Sequence, residues 1–293
     1  MDKKKIKTKY TLVVIVLTIF VCGYIFSSVT SNTNIVKADA TQTEQPVKLL
    51  IVLYHETKIN NLNKMSITPY EFESDLKYLA ANGYTSITMS KLINYVYNGE
   101  ALPEKPIMLA FDDGYLSNYV YAYPLLKKYD MKAVLSIIAK DTDSFSNCHD
   151  TNIDYAHSTW LQLNEMVKSG CIELQNHSYN LHCITTKRYG CKRALGESKA
   201  DYEKVLSDDL DRCSSEIFEN TGQISEAFAY PYGSIDELSL PIIKKLGIKA
   251  TMTCKYGVNK ITHNHEKLYG LKRITRYHNT SIKKLITDSE KIK

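Results

Sequence analysis

The sequence predicts an α/β fold in which parallel strands form a barrel and helices cover its outer face. From Val47 onward, short apolar segments alternate with helical patterns almost to the end of the chain. Such alternation is typical of βαβ units, whose strands are parallel. Six to eight units over about 250 residues fit a barrel. A doubly wound open sheet is the alternative, weakened because no glycine-rich phosphate-binding loop follows the first strand.

Four strands and three helices are predicted in the first half of this barrel. Apolar runs such as the one that ends at Tyr54 are typical of parallel strands buried on both faces. The helix that begins at Pro69 places Phe72 and Leu76 on one face, and Gly83 ends it. These patterns predict strands over 47–54, 86–88, 106–111 and 132–138, and helices over 69–81, 89–97 and 118–129.

The second half continues the alternation after a polar segment, 140–157, that is predicted to be a surface loop. No element is predicted for 255–270, and the sequence has no internal repeat. The remaining patterns predict helices over 159–168, 200–219, 235–246 and 281–286, and strands over 171–174, 226–230, 249–253 and 271–275.

An export signal or a signal anchor is predicted over residues 1–29. Lysines precede an uncharged stretch, Thr11 to Val29, that is long enough to span a bilayer. Ala38-Asp39-Ala40 has the form of a signal-peptidase site but lies far beyond the apolar stretch, so cleavage and retention both stay open. The polar composition of residues 30–46 predicts a linker. A single domain is predicted after it, over 47–293. Either outcome places that domain outside the cytoplasm, secreted or anchored to the membrane.

The charge distribution argues against a nucleic-acid partner. The chain carries a net charge of +5, and the first ten residues, with five lysines and one aspartate, account for most of it. A nucleic-acid-binding face would need a basic patch within the folded domain. The basic character is therefore a property of the N-terminal tail.

The cysteines beyond the N-terminal tail suit an exported protein. They are Cys148, Cys171, Cys183, Cys191, Cys213 and Cys254. An even number in an oxidising compartment permits disulfides, whose connectivity the sequence does not reveal. Cys183 and Cys191 are close in sequence and are the candidates for a local disulfide.

Two adjacent carboxylates, Asp112 and Asp113, come directly after the apolar run over 106–111. Gly114 then permits a sharp turn. Ionised carboxylates are costly to bury unless a cation or hydrogen bonds hold them. The carboxyl ends of the strands carry the chemistry in an α/β barrel. The pair therefore predicts one metal ligand and one proton-transfer group, with an ordinary surface turn as the alternative.

Two histidines, His177 and His182, follow another predicted strand. Their spacing of five does not put them on one helix face, but a loop can bring both imidazoles to one point. Together with a carboxylate they form a candidate site for a divalent metal. Asn176 and Ser178 are candidates to hold backbone or imidazole N–H groups in place. His55 ends the first strand at the same rim and is the candidate general acid.

Taken together, these segments resemble the polysaccharide deacetylases of carbohydrate esterase family 4, which contain the NodB-type domain. The family motif T-F-D-D-G corresponds to residues 110–114, H-S/T-x-x-H to the one-residue-longer 177–182, and R-x-P-Y-G to 229–233. The resemblance spans 50–276. It implies a distorted (β/α)7–8 barrel and a metal-dependent deacetylase.

Two departures from the family motifs are informative. The longer histidine spacing and the early His55 resemble the branch that deacetylates poly-β-1,6-N-acetylglucosamine, in which the first strand supplies a histidine that otherwise comes from near the C-terminus. Ala229 stands where the third motif has an arginine, which orients the base in this family. Arg273 and Arg276 are the candidates to replace it.

The resemblance also implies a role for each candidate residue. It implies a divalent metal, in the first instance Zn²⁺ with Co²⁺ or Ni²⁺ as alternatives, held by Asp113, His177 and His182. It further implies that Asp112 is the base, that the backbone N–H of Tyr232 meets the oxyanion, and that His55 protonates the leaving amine. The implied partner is an acetylated polysaccharide, either poly-N-acetylglucosamine or peptidoglycan.

Three other functions stay open. A catalytically impaired carbohydrate-binding or scaffold protein of the same fold gains weight from the missing third-motif arginine. An O-acetyl esterase acting on xylan would use the same chemistry. A glycoside hydrolase would need two acids about 5–9.5 Å apart across a cleft and no metal. Adjacent Asp112 and Asp113 with two histidines fit that arrangement poorly.

Overall fold

The computed structural model describes residues 45–148 and 150–292. Its strands are β1 (Val47–Tyr54), β2 (Glu56–Thr57), β3 (Ser66–Ile67), β4 (Thr85–Ser86), β5 (Pro106–Phe111), β6 (Ala133–Ile137), β7 (Ile172–Asn176), β8 (Ala227–Ala229), β9 (Ala250–Met252), β10 (Asn259–Ile261) and β11 (Ile274–Thr275). Its α-helices are α1 (Pro69–Ala81), α2 (Met89–Asn98), α3 (Tyr123–Lys128), α4 (Ala139–Cys148), α5 (Trp160–Lys168), α6 (Lys199–Thr221), α7 (Ser239–Lys245) and α8 (Ile282–Glu290).

The main sheet runs in the order β10-β1-β5-β6-β7-β8-β9. Neighbouring strands from β1 to β9 are parallel, and β10 is antiparallel to β1. The segment from Leu271 to Thr275 connects β9, at one end of this sheet, with β1 near the other end. Leu271 forms a parallel bridge with Met252 of β9, and β11 pairs in parallel with β1. The sheet therefore curls into a barrel, and the predicted α/β class is confirmed.

Alternate residues of the strands pack into two different layers of the core. On β1, Leu50 and Val52 belong to the layer that packs against α1, α5 and α8, whereas Leu49 and Ile51 belong to a second layer with β5, β9 and α2. This follows from the two-residue period of a strand. Strands buried on both faces explain the apolar runs in the sequence.

The helix α1 begins and ends where the sequence predicts. Thr68 accepts from the backbone N–H of Glu71, and the Glu71 carboxylate accepts from the backbone N–H of Thr68, which forms a capping box just before Pro69. The buried face of this helix carries Phe72, Leu76 and Leu79, as the helical spacing requires.

Several predicted elements are wrong in detail. The first part of the predicted loop 140–157 lies in helix α4, whereas 150–157 is irregular, as predicted. Contacts with Trp160 hold the helix: Asp143 accepts from the indole N–H and Ser146 from the backbone N–H. Residues 118–129 begin with a π-helical turn, Asn118–Ala122, before α3. The segment 255–270, left without an element, contains β10 and a short 3₁₀ helix.

The predicted export segment and most of the predicted linker lie outside the described residues. Among the helices that the structure describes, none is both long enough and apolar enough to cross a bilayer. The predicted disulfide between Cys183 and Cys191 is not present, since both thiols are free. Cys191 is instead buried in an apolar cluster with Leu181 and Tyr202.

A buried ion pair attaches the C-terminal segment to α1. Nε of Arg276 donates to Asp75 at 2.7 Å, and both side chains are almost fully buried. The same carboxylate accepts from the hydroxyl of Tyr54 and from the backbone N–H of Ile282, at the start of α8. The pair therefore ties β1, α1 and α8 together.

We expect Arg276→Met to lower the free energy of unfolding by about 3–5 kcal/mol, because it leaves Asp75 as an unpaired buried charge. Urea unfolding followed by circular dichroism measures this change. Lys204→Met is the control. It removes an exposed pair with Asp208 and should change stability by less than about 1 kcal/mol. Equal effects of the two substitutions would contradict the prediction.

Candidate active site

The predicted site residues lie at the carboxyl ends of the barrel strands, with one arginine on the segment that connects β9 with β1. His55 follows β1, Asp112 and Asp113 follow β5, His177 follows β7, and Tyr232 follows β8. Because parallel strands end at one edge of the sheet, residues distant in sequence meet there.

Asp113, His177 and His182 come together as a candidate metal centre. Their ligand atoms all lie within 4.8 Å of one another. Oδ1 of Asp113 is 3.5 Å from Nε2 of His177 and 3.4 Å from Nε2 of His182. The same oxygen is buried and makes no hydrogen bond with any described residue. Two imidazoles and an unsatisfied carboxylate oxygen fit a divalent cation of the zinc type.

Backbone contacts aim the ligands toward one another. Nδ1 of His177 lies 2.8 Å from the carbonyl oxygen of Ala229, to which it donates, so Nε2 is left to face Asp113. Asp113 itself has a φ of 73°, a left-handed conformation that is strained for a residue with a Cβ. Its carbonyl oxygen accepts hydrogen bonds from Nδ1 of His157, at 3.0 Å, and from the backbone N–H of Ile138.

The loop that carries His182 is fixed by polar side chains. Oδ1 of Asn176 accepts from the backbone N–H of Ser178, and Oγ of Ser178 accepts from that of Leu181. Both residues hold backbone groups, as the sequence suggested. The carboxylate of Asp209, on α6, accepts from the backbone N–H groups of the two residues that follow Ser178, each at 2.8 Å.

Arg273 lies against Asp112. Its Nη1 donates to Oδ1 of Asp112 at 2.8 Å, and its Nε donates to the carbonyl oxygen of Thr253. Burial alone would raise the pKa of Asp112, but the charge of the Arg273 guanidinium and the nearby His177 outweigh burial and hold that pKa below its usual range. Asp112 is therefore ionised near neutral pH and ready to accept a proton.

The structure separates the two candidate arginines. Arg273 contacts Asp112, whereas Arg276 pairs with Asp75 on α1 instead. This contact makes Arg273, rather than Arg276, the candidate to replace the third-motif arginine, where Ala229 stands. Arg276 belongs to the buried pair that holds the C-terminal segment.

The charges of the candidate ligands influence one another. Burial would raise the pKa of Asp113, but its contact with His177 and the nearby imidazoles hold it well below the usual range. Burial alone would lower the pKa of His177, but the charges of Asp112 and Asp113 outweigh burial and raise it. Burial and the neighbouring His177 lower the pKa of His182. The carboxylate is therefore anionic, as a metal ligand must be.

His55 and Tyr232 border the same site. The carbonyl oxygen of Tyr54, the residue before His55, accepts from the backbone N–H of Asp112 at 3.2 Å, which places His55 beside the two aspartates. Tyr232 has a φ of 57° within the turn Pro231–Gly233, and its ring lies 4.3 Å from the ring of His182. Its side chain is 38% exposed and forms part of the surface of the site.

Sequence reasoning missed His157 and Asp209. His157 ends a polar segment without periodicity, so no pattern marks it. Asp209 had a detectable signal, because it lies on the side of α6 that also carries Leu206, Leu210 and Cys213, all buried. A carboxylate on the apolar stripe of a helix is costly unless it has partners.

Comparison with known proteins identifies the family. A model of the family named polysaccharide deacetylase matches residues 99–251. The chain is 30% identical over 236 residues to YxkH of Bacillus subtilis, named as a polysaccharide deacetylase, covering 80% of this chain and 73% of that protein. It is 25% identical over 249 residues to the poly-β-1,6-N-acetyl-D-glucosamine N-deacetylase of Escherichia coli, covering 78% of this chain but only 36% of that enzyme.

The fold agrees with solved deacetylases. The structure of the Streptococcus pyogenes deacetylase PplD in complex with acetate superposes with a TM-score of 0.69 at 26% identity, covering 83% of this chain and 99% of that one. The region that the family model matches, residues 99–251, contains both aspartates, both histidines and the Pro-Tyr-Gly turn. The chain therefore belongs to the polysaccharide deacetylase family.

Proposed function

We propose that this protein is a metal-dependent hydrolase that removes N-acetyl groups from an extracellular polysaccharide containing N-acetylglucosamine. One observation carries the proposal. The unsatisfied Oδ1 of Asp113 faces the Nε2 atoms of His177 and His182, beside an ionised Asp112 held by Arg273. This arrangement supplies metal ligands and a base in one place, which is what metal-assisted amide hydrolysis uses.

Poly-β-1,6-N-acetylglucosamine is the proposed substrate, with peptidoglycan as the alternative polymer. This choice is supported by the similarity to the E. coli enzyme named for that polymer, which extends over 78% of the present chain. The exposed rings of Tyr232 and Tyr189, 5.2 Å apart beside His182, are suited to contact sugar rings.

Zn²⁺ is the proposed metal, held by Asp113, His177 and His182, and when bound it would supply a Lewis acid that polarises the acetamide carbonyl and acidifies a water. The chain's own residues then divide the proton transfers. Asp112 accepts the proton of the attacking water, and Arg273 keeps Asp112 ionised and oriented. The backbone N–H of Tyr232 donates to the oxyanion of the tetrahedral intermediate. His55 gives a proton to the leaving amine as the C–N bond breaks.

We also propose that the domain acts outside the cytoplasm, either secreted or held at the membrane by its N-terminal segment. Lysines followed by an uncharged apolar stretch support this location. The substrate supports it as well, since matrix and wall polymers are extracellular. Fractionation of cells that express the full-length chain, with cleavage read from its mass, tests both variants.

An active enzyme is favoured over an impaired binding protein. The missing third-motif arginine was the observation that supported impairment, and the contact between Arg273 and Asp112 removes that support. A glycoside hydrolase is disfavoured because Asp112 pairs with an arginine and Asp113 with two histidines, so these two acids face basic groups and not each other across a cleft.

Acetate release by the full-length chain tests the function. The metal-free protein is incubated with poly-β-1,6-N-acetylglucosamine oligomers, peptidoglycan and acetylated xylan, then again with Zn²⁺, Co²⁺ or Ni²⁺ added. We expect metal-dependent release from one of the first two polymers. Release from xylan alone would indicate an O-acetyl esterase. No release from a folded, metal-loaded protein would indicate a binding or scaffold protein.

Arg273→Met should lower kcat about 100-fold and shift the acid limb of the pH profile. Without the guanidinium the pKa of Asp112 rises, so the base becomes protonated, and activity is lost, at a higher pH than in the parent protein. Initial rates of acetate release across pH values measure both effects. Arg276→Met, which breaks the other buried arginine pair, should leave the position of the acid limb unchanged. A shared shift would contradict the assignment.

A further inference from the structure

Buried polar atoms without partners cluster beside His55. Nδ1 of His55, Oγ1 of Thr57, Oγ of Ser117 and Oδ1 of Asn118 are all buried and make no hydrogen bond with any described residue. Thr57 and Ser117 are fully buried, and Asn118 is 4% exposed. Leaving such atoms unsatisfied costs about 1–3 kcal/mol each, so four in one region indicate a missing partner.

These four residues are neighbours in the fold. Nδ2 of Asn118 donates to the carbonyl oxygen of His55 at 2.8 Å. Ser117 and Asn118 are adjacent in sequence, and Thr57 lies two residues beyond His55. Strand β2, which contains Thr57, packs against the turn that begins at Asn118. The contact of Asn118 with the backbone of His55 thus places the two pairs of residues side by side, and the region between them is here called the His55 pocket.

The backbone around the pocket is irregular. The turn Asn118–Ala122 is π-helical and leads directly into α3. π-Helical turns are rare and occur most often at functional sites, because they widen the helix and reposition side chains. Here the turn keeps Asn118 buried against His55, five residues after the metal ligand Asp113.

We propose that the His55 pocket binds an internal water, which hydrogen-bonds to Nδ1 of His55, and that Thr57 and Asn118 are positioning residues for this histidine. An internal water makes about three hydrogen bonds to otherwise unsatisfied polar groups. The pocket offers at least that number of atoms. The water fixes the rotation of the imidazole so that Nε2 faces the substrate.

This arrangement differs in its chemistry from a histidine oriented by a carboxylate. As a general acid His55 is an imidazolium with a proton on each ring nitrogen, and Nδ1 keeps its proton when Nε2 gives up its own. The water therefore accepts from Nδ1 both before and after the transfer. A buried carboxylate would instead favour the charged imidazole throughout. Among the described residues, no carboxylate forms a hydrogen bond with Nδ1 of His55.

The inference rests on the proposed role of His55 as general acid, and its test uses matched substitutions in the full-length chain. Thr57→Val removes the hydroxyl at constant shape, Thr57→Ser keeps it, and Asn118→Ala removes the amide. Asn164→Ala is the control, since Oδ1 of Asn164 is also buried and unpartnered but lies on α5. The measurements are kcat and KM for acetate release, and the ¹⁵N resonance of His55 Nδ1 in metal-free protein.

We expect Thr57→Val and Asn118→Ala to lower kcat about 10-fold to 100-fold, with KM changed by less than about twofold. The Nδ1 resonance should move in both, and Thr57→Ser and Asn164→Ala should resemble the parent. An unmoved Nδ1 resonance in both variants overturns the inference, even if kcat falls. If the parent protein releases no acetate, only the proposed function is contradicted. The Nδ1 resonance of His55 in the variants still shows whether Thr57 and Asn118 position this histidine.

Discussion

Replacing Asp112 with asparagine is expected to lower kcat for acetate release by about 10³-fold, the middle of the range that general acid–base groups supply. Asparagine keeps the size of the side chain but cannot accept a proton from water. The three candidate metal ligands are unchanged, so the affinity for Zn²⁺ should stay within about threefold. Initial rates and equilibrium dialysis of the metal measure the two quantities.

The chain provides a matched control for this substitution. Asp75 is also a buried carboxylate in contact with a buried arginine, at 2.7 Å compared with 2.8 Å for Asp112. Asp75→Asn should therefore destabilise the protein by a similar amount, yet leave kcat close to that of the parent. If both variants lose activity equally, instability explains the loss, and the role of Asp112 as base is wrong.

His177→Gln is expected to abolish metal-dependent activity and to weaken Zn²⁺ binding by at least about 100-fold. The substitution removes a ligand whose Nδ1 contact with Ala229 aims Nε2 at the site, and two ligands alone hold zinc poorly. A chelator should likewise remove the activity of the parent protein, and added Zn²⁺ should restore it. Added Zn²⁺ should not restore the variant at the same concentration.

His265→Gln serves as the comparison for the metal experiment. His265 is an exposed histidine that stacks on Tyr97, away from the three ligands. It should bind Zn²⁺ and release acetate as the parent does. Undiminished activity of His177→Gln after complete metal removal would show that the reaction does not use this centre.

The regular parts of the fold were predictable because local physics determines them. The apolar run of β1 marks the extent of that strand, and the capping box marks the residue at which α1 begins. Helix α4 was not predictable, because its sequence lacks an apolar face and the contacts that hold it come from Trp160, at the start of the next helix. The π-helical turn at Asn118 has no sequence signature at all.

The candidate site was predictable where adjacent residues carry the signal and unpredictable where the fold supplies the partner. Asp112, Asp113, His177 and His182 stand in short motifs after strands. The partner of Asp112 is 161 residues away in the chain, and sequence alone offered Arg273 and Arg276 equally. Only the pairing of β11 with β1 brings the former to the site and directs the latter to Asp75.

The position of Arg273 also bears on the order in which the proposed site is assembled. Every proposed metal ligand, the base and the general acid precede residue 183, whereas the arginine lies on the segment that connects β9 with β1. A chain that emerges N-terminus first therefore exposes all its reactive groups long before the base is held in place. In the proposed mechanism, the late segment that pairs with β1 therefore also brings in the side chain that holds the base, so the site is complete only when the C-terminal part of the chain is in place.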